Sequence, residues 1–235
     1  MMVYSQVLNL RCLILRCSGD TKQSVWDRSW ILADLAVVMS AFTDNFNRAR
    51  LLAASAPHSG DWLHALPLST CGLKLDNEAV RVAVGLRLGT SLCEPHQCPC
   101  GNQVDARGTY GLSCKRGAGR FIRHHELNDI IYRALTRAST PSVLEPPGLS
   151  RTEKKRPDGL TLIPWQRGKS VTWSVTVTDT VADYLHLASA KAGGAAENGA
   201  IRNEDKYVDL QRTYTFIPLA FETLGPINVK GVEFL

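Results

Sequence analysis

The stretch Arg156-Pro-Asp-Gly-Leu-Thr-Leu-Ile-Pro164, followed after Gln166-Arg-Gly-Lys169 by Val171-Thr-Trp-Ser-Val-Thr-Val-Thr178, decides how this chain folds. Both runs, Asp158 to Pro164 and Val171 to Thr178, are β-branched and alternate, and the segment between them has turn chemistry, so the pair predicts a β-hairpin. On the second strand Ser174, Thr176 and Thr178 share one face, and Trp173, Val175 and Val177 share the other. Upstream, Ser142 to Leu144 leads extended into Glu145, held by Pro146 and Pro147.

Working outward, residues 119–138 carry Ile122, Leu127, Ile130, Ile131, Ala134 and Leu135 on one helical face, with Arg123, Glu126, Arg133 and Arg137 elsewhere. Downstream, the Ala-rich segment 183–207 is broken by Gly193-Gly194 and Gly199 and predicts two helical pieces, and residues 214–222 predict a last strand. The element order from residue 119 is therefore α, β, β, β, α, β. Toward the amino terminus, residues 25–55 repeat apolar side chains at steps of three and four, which predicts one or two amphipathic helices. Asp76 or Asn77 is placed to cap another helix running through Leu88. Residues 1–24 carry no periodicity and read as a leader, which sets the expected organisation as leader 1–24, helical region 25–92, cysteine-rich segment 93–118 and α/β domain 119–235.

Four of seven cysteines, Cys93, Cys98, Cys100 and Cys114, crowd into one segment with His96 and several glycines. No secretory signal is recognised, so clustering of this kind points to metal rather than disulfides. Cys98, Cys100 and Cys114 supply three thiolates, with His96 or Cys93 as the fourth ligand, at ~2.3 Å for sulfur and ~2.1 Å for nitrogen around a structural zinc. The bland alternative is reduced thiols in a loop.

Charge is unevenly spread. The net charge is +5, yet segments 115–137 and 151–156 together carry +7, leaving the remainder at −2. That distribution fits a basic strip facing a polyanion, with Arg116, Arg120, Arg123, Arg151, Lys154, Lys155 and Arg156 as phosphate-neutralising residues. No apolar run is long and uninterrupted enough for a membrane span, so the expectation is an intracellular protein, nuclear or cytoplasmic, with no membrane partner.

Several motifs together resemble the C-terminal region of non-LTR retrotransposon polyproteins: Cys98-x-Cys100, Gly-Leu-Ser-Cys114, Arg120-x-x-Arg123-His124, Leu127-Asn128-Asp129, Glu145-Pro146, Arg156-Pro157-Asp158, the Val-Thr-Val strand and Lys206-Tyr207. The resemblance covers about residues 93–222 and lies more in motif order than in any single motif. In that family a cysteine/histidine zinc knuckle precedes a restriction-like PD-(D/E)XK endonuclease domain that nicks DNA. The resemblance implies a restriction-endonuclease-like α-β-β-β-α-β core, DNA (or RNA) as partner, and Mg²⁺ or Mn²⁺ as catalytic metal. It also implies site roles for Glu145, Asp158, the residue at position 174, and Lys206, displaced from the strand onto the following helix. Two positions depart from the family: Ser174 stands where an acid is expected, and Tyr110 where the zinc histidine is. A serine hydroxyl brings no charge to a hard dication, so the nuclease is expected to be weak or inactive. The alternatives are a domesticated, non-catalytic nucleic-acid-binding module and a decayed retrotransposon fragment.

Overall fold

A computed structural model describes residues 23–71, 74–149, 156–182 and 184–235. The leader reading falls almost entirely on residues outside these. Two compact units divide the chain at residues 44 and 45. In the first, helix α1 (Gln23–Ala41) buries Trp30 while Ile31, Val37 and Val38 stay exposed. The second unit holds everything else, including helices α2 (Asn45–Ala54) and α3 (Asn77–Leu88). Asp76 caps α3 as expected: its carboxylate accepts from Ala79 N–H at 2.6 Å. Gly89 closes the helix at φ 72°, a left-handed conformation that glycine adopts without a Cβ penalty.

A short hairpin, β1 (His96–Gln97) against β2 (Gln103–Val104), and the single turn α4 (Tyr110–Ser113) form the cysteine-rich segment. Helix α5 (Ala118–Arg137) follows, then β3 (Ser142–Leu144), β4 (Gly159–Thr161), β5 (Val171–Thr178), α6 (Leu185–Ala190), α7 (Gly194–Lys206), β6 (Thr215–Glu222) and α8 (Val229–Phe234). The protein is thus a mixed α/β structure with a mixed sheet in the order β3-β4-β5-β6. β3, β4 and β5 pair antiparallel, and β6 returns parallel to β5 after the α6–α7 crossover.

The hairpin is present but β4 is shorter than its alternation predicts. At Thr161 the side-chain oxygen, not the backbone, accepts from Val171 N–H at 2.9 Å, and Pro164 has no N–H to offer. The ladder resumes as a Gln166–Lys169 bridge around Arg167 (φ 51°) and Gly168 (φ 73°), two successive left-handed residues of the kind that match strand twist in tight hairpins.

Helix α5 covers one face of the sheet, joined there by Phe234 of α8, and α7 covers the other. Ile131 and Leu135 of α5 pack on Val171, Trp173, Val175 and Leu219. The inner stripe of α5 is buried at Asn128, Ile131 and Leu135 and half-buried at His124 and Leu127, whereas Ile122 and Ile130, expected on the inner face, are about half exposed. They sit off the line of that stripe at 100° per residue. Trp173 is completely buried, and its indole N–H donates to Asn128 Oδ1 at 2.8 Å. On the other face α7 presses Ala196 and Ala200 onto Ala220, and a Cβ at Gly199 would lie 2.8 Å from the Thr178 methyl. Buried Glu222 fixes the end of β6 to the start of α7, accepting from Ala195 and Ala196 N–H at 3.0 and 3.2 Å. Among the described residues no helix is long and apolar enough to cross a membrane.

Candidate functional site

The cysteine segment is built by a tight turn. Gly101 N–H donates to Cys98 O at 2.7 Å, Cys98 N–H to Asn102 O at 2.8 Å, and Gly101 takes φ 96°, so Cys98 and Cys100 project from one loop. Cys114, at the end of α4, is buried beneath them. The three sulfurs lie within 4.8 Å of one another, with Cys98 and Cys114 Sγ 3.7 Å apart. Tetrahedral ligands at the ~2.3 Å zinc–sulfur distance are separated by ~3.8 Å, so this trio could hold a metal ion and is compatible with zinc.

Neither residue expected as fourth ligand joins the trio. The His96 ring turns back to the chain before its strand, with Nδ1 2.9 Å from Glu94 O, and the Cys93 thiol donates to Asp105 O at 3.4 Å. The group that does reach the sulfurs is Tyr110, whose hydroxyl lies 2.9 Å from Cys100 Sγ and receives a hydrogen bond from Asn102 Nδ2. The Tyr110 hydroxyl, together with the Asn102 N–H, pulls the Cys100 thiol down to about 6, and the same contact pushes the Tyr110 phenol up to about 12.

A second cluster forms at the start of β4, beside β5. Asp158 donates its N–H to Trp173 O at 2.9 Å, and its Oδ2 accepts from Val175 N–H at 2.5 Å. His124 Nε2, reaching across from α5, is 3.4 Å from the same oxygen. Glu145 is tied to this point by its N–H, which donates to Asp158 O at 2.9 Å, and it holds φ 47°, uncommon for a non-glycine residue. Ser174 is buried (4% exposed) on the strand face that carries Thr176, whose hydroxyl accepts from Asn203 of α7 at 2.7 Å. Lys206 extends over the Tyr207 ring, 4.6 Å from its centroid. Among the described residues the cysteine trio is the one group of three metal-binding side chains this close together, so the acids form no comparable cluster. With serine at 174, two carboxylates remain, and one of them is already engaged by a histidine and a backbone N–H.

His124 is the member of this cluster that sequence reasoning missed. The available signal was a histidine on the inner stripe of α5, in line with Leu127 and Ile131. Its pKa is raised, chiefly by the hydrogen bond to Asp158 and further by the charges of Asp158 and Glu145, against an opposing effect of burial. A raised folded-state value means that the pair's stabilisation is complete below the ordinary histidine value of about 6.5 and is lost as pH rises through the raised one. The thermal midpoint should therefore fall between about pH 6 and about pH 8 by more in the wild type than in His124→Gln, read by differential scanning calorimetry at constant ionic strength.

Beyond the end of β5 lies a groove of about 470 Å³ lined by Lys115, Arg120, Arg123, Arg202 and Lys206, with Asp179 as its acidic residue. Arg120 and Arg123 are where the sequence put phosphate contacts. Lys115 and Arg202 were not among the residues expected there, although Arg202 sits one turn before Lys206 on the same face of α7. Arg116 instead donates to Pro99 O at 3.4 Å, bracing the cysteine turn. Arg156 offers its carbonyl to the Tyr207 hydroxyl at 2.6 Å, and Arg151, Lys154 and Lys155 lie outside the described residues. No protein-family model matches this chain, and a search among curated proteins finds no match.

Proposed function

We propose that the chain is a retroelement-derived DNA-binding protein on a PD-(D/E)XK endonuclease scaffold, with its phosphodiester-cleaving centre impaired at Ser174. The observation that carries the binding half of this reading is the groove, in which five cationic side chains from the α4–α5 junction, α5 and α7 face one acid. Phosphate binding needs this convergence of charge, and its sequence-independent part supplies most non-specific affinity. RNA is a second polyanion such a groove would accept.

Three features support the nuclease ancestry. The element order α5-β3-β4-β5-α6-α7-β6, in a mixed sheet with β6 parallel to β5, supports that scaffold. The Pro157-Asp158 pair opens β4, and Asp158 lies beside β5 with Glu145 tied to it. The residues present do not suit Mg²⁺ or Mn²⁺, because Ser174 brings no charge and Asp158 Oδ2 is taken by Val175 N–H and His124. That engagement favours, as the second reading, a module that binds nucleic acid without cleaving it. The cysteine trio, by contrast, suits a structural zinc that would hold the knuckle closed. A nuclear or cytoplasmic setting is the one in which these thiols stay reduced.

Supercoiled plasmid tests both halves at once. The protein should retard plasmid at low salt and, with Mg²⁺ or Mn²⁺, produce nicked circles slowly or not at all. Unshifted plasmid at low salt would overturn DNA binding. Rapid metal-dependent nicking that disappears in Asp158→Ala would overturn the impairment.

A further inference from the structure

We propose that the Cys98, Cys100 and Cys114 centre binds its metal through the three thiolates alone and leaves the fourth coordination position to an exogenous small ligand, with Tyr110 acting as a hydrogen-bond donor to Cys100. The inference deepens the metal reading and is independent of what the basic groove binds.

The geometry around Tyr110 carries it. A sulfur and an oxygen bound to one tetrahedral metal at ~2.3 and ~2.0 Å stand ~3.5 Å apart, whereas Tyr110 Oη is 2.9 Å from Cys100 Sγ, a hydrogen-bond separation. The phenol oxygen is itself an acceptor for Asn102 Nδ2, which leaves its hydrogen to point at the thiolate. To ligate a metal, Tyr110 would have to lose its proton and break both contacts. The neighbouring donors are committed elsewhere: the His96 ring to Glu94 O, and the Cys93 thiol to Asp105 O and Ala106 O. The accessible side of the trio is the one formed by the half-buried Cys98 and Cys100, while Cys114 closes the bottom. A small ligand would approach the metal from the Cys98 and Cys100 side.

Three protein ligands hold the knuckle together as a structural site does, and the one open position makes the metal exchangeable at its fourth corner. Three thiolates over-neutralise a divalent ion, so a bound water there is only weakly acidified, and the chemistry suited to the position is ligand exchange. Small neutral nitrogen donors and small thiols are the class that fits.

The test is the visible ligand-field spectrum of the full-length chain loaded with Co²⁺ under reducing, oxygen-free conditions, titrated with imidazole. Wild type should take up one cobalt, and its bands should shift saturably as imidazole enters. Tyr110→Phe should keep both the cobalt and the imidazole response, because the phenol is not a ligand. Tyr110→His should close the site, abolish the response and bind zinc more tightly by at least tenfold. Wild-type bands that ignore imidazole, with Tyr110→Phe becoming responsive, would make Tyr110 the fourth ligand and overturn the proposal. A chain that takes up no cobalt overturns the centre itself. Should Tyr110→Phe fail to fold, the imidazole response of wild type against Tyr110→His decides the matter alone.

Discussion

Trp173→Ala should abolish most of the stability of the 45–235 unit. The side chain is completely buried at the centre of the α5–sheet core. Truncating a buried aromatic costs ~3–5 kcal/mol in lost transfer and cavity formation. Removing the indole N–H also leaves Asn128 Oδ1 without its 2.8 Å donor, a further ~1–3 kcal/mol for a buried acceptor. Against a typical total of ~5–15 kcal/mol, the combined loss takes a protein of ordinary stability close to unfolding. Urea denaturation followed by tryptophan fluorescence measures it. Trp165→Ala serves as the contrast, because Trp165 is 44% exposed and contacts Phe234 with ring centroids 5.7 Å apart, so its loss should cost ~1 kcal/mol. Equal midpoints for the two variants would mean that Trp173 does not organise the core. The effect should extend to the acidic cluster, since Asp158 N–H is held by Trp173 O and Asp158 O by Asn128.

Ser174→Asp should convert an impaired centre into a metal-responsive one. Position 174 is buried, so a carboxylate there, in the absence of metal, costs ~1–3 kcal/mol from desolvation. A dication relieves that cost, so the variant should melt below wild type in EDTA and regain the difference in Mg²⁺ or Mn²⁺. Metal-dependent nicking of supercoiled plasmid should appear or rise at least tenfold, which corresponds to ~1.4 kcal/mol of barrier. The gain should vanish in the Ser174→Asp, Asp158→Ala double variant. A variant that folds and binds DNA, yet neither gains stability from metal nor nicks, would sink the nuclease reading and favour the non-catalytic module.

What could be read from the sequence divides along physical lines. Periodicity reports which residues share a face, and so the α5 helix, the hairpin of β4 and β5, and the strand near residues 214–222 were legible. So was the Asp76 cap, because capping is a local matter of one side chain and a nearby N–H. Depth was less legible. Ile122 and Ile130 carry the same hydropathy as Ile131 but stand off its line at 100° per residue, and α5 docks on β5 through that line. Long-range meetings were hidden altogether. His124 and Asp158 are brought together by the docking of a helix on a sheet, and Arg202 and Lys115 by the α6–α7 crossover, neither of which leaves a mark in local spacing. At the cysteines, spacing identified the three thiolates, but the orientation of His96 depended on a backbone carbonyl two residues away.

DNA binding through the groove between α5 and α7 is most directly tested by the salt dependence of affinity for a short duplex, measured in parallel on wild type and on the Arg202→Gln, Lys206→Gln double variant. Each neutralised phosphate contributes about −0.9 to the slope of log K against log salt, so the five groove cations alone give a slope near −4.5, a loss of roughly 500-fold between ~50 and ~200 mM salt. The double variant should fold normally and show a slope shallower by ~1.8. A flat response in wild type, or a steep one that the double variant leaves unchanged, would contradict binding at this groove.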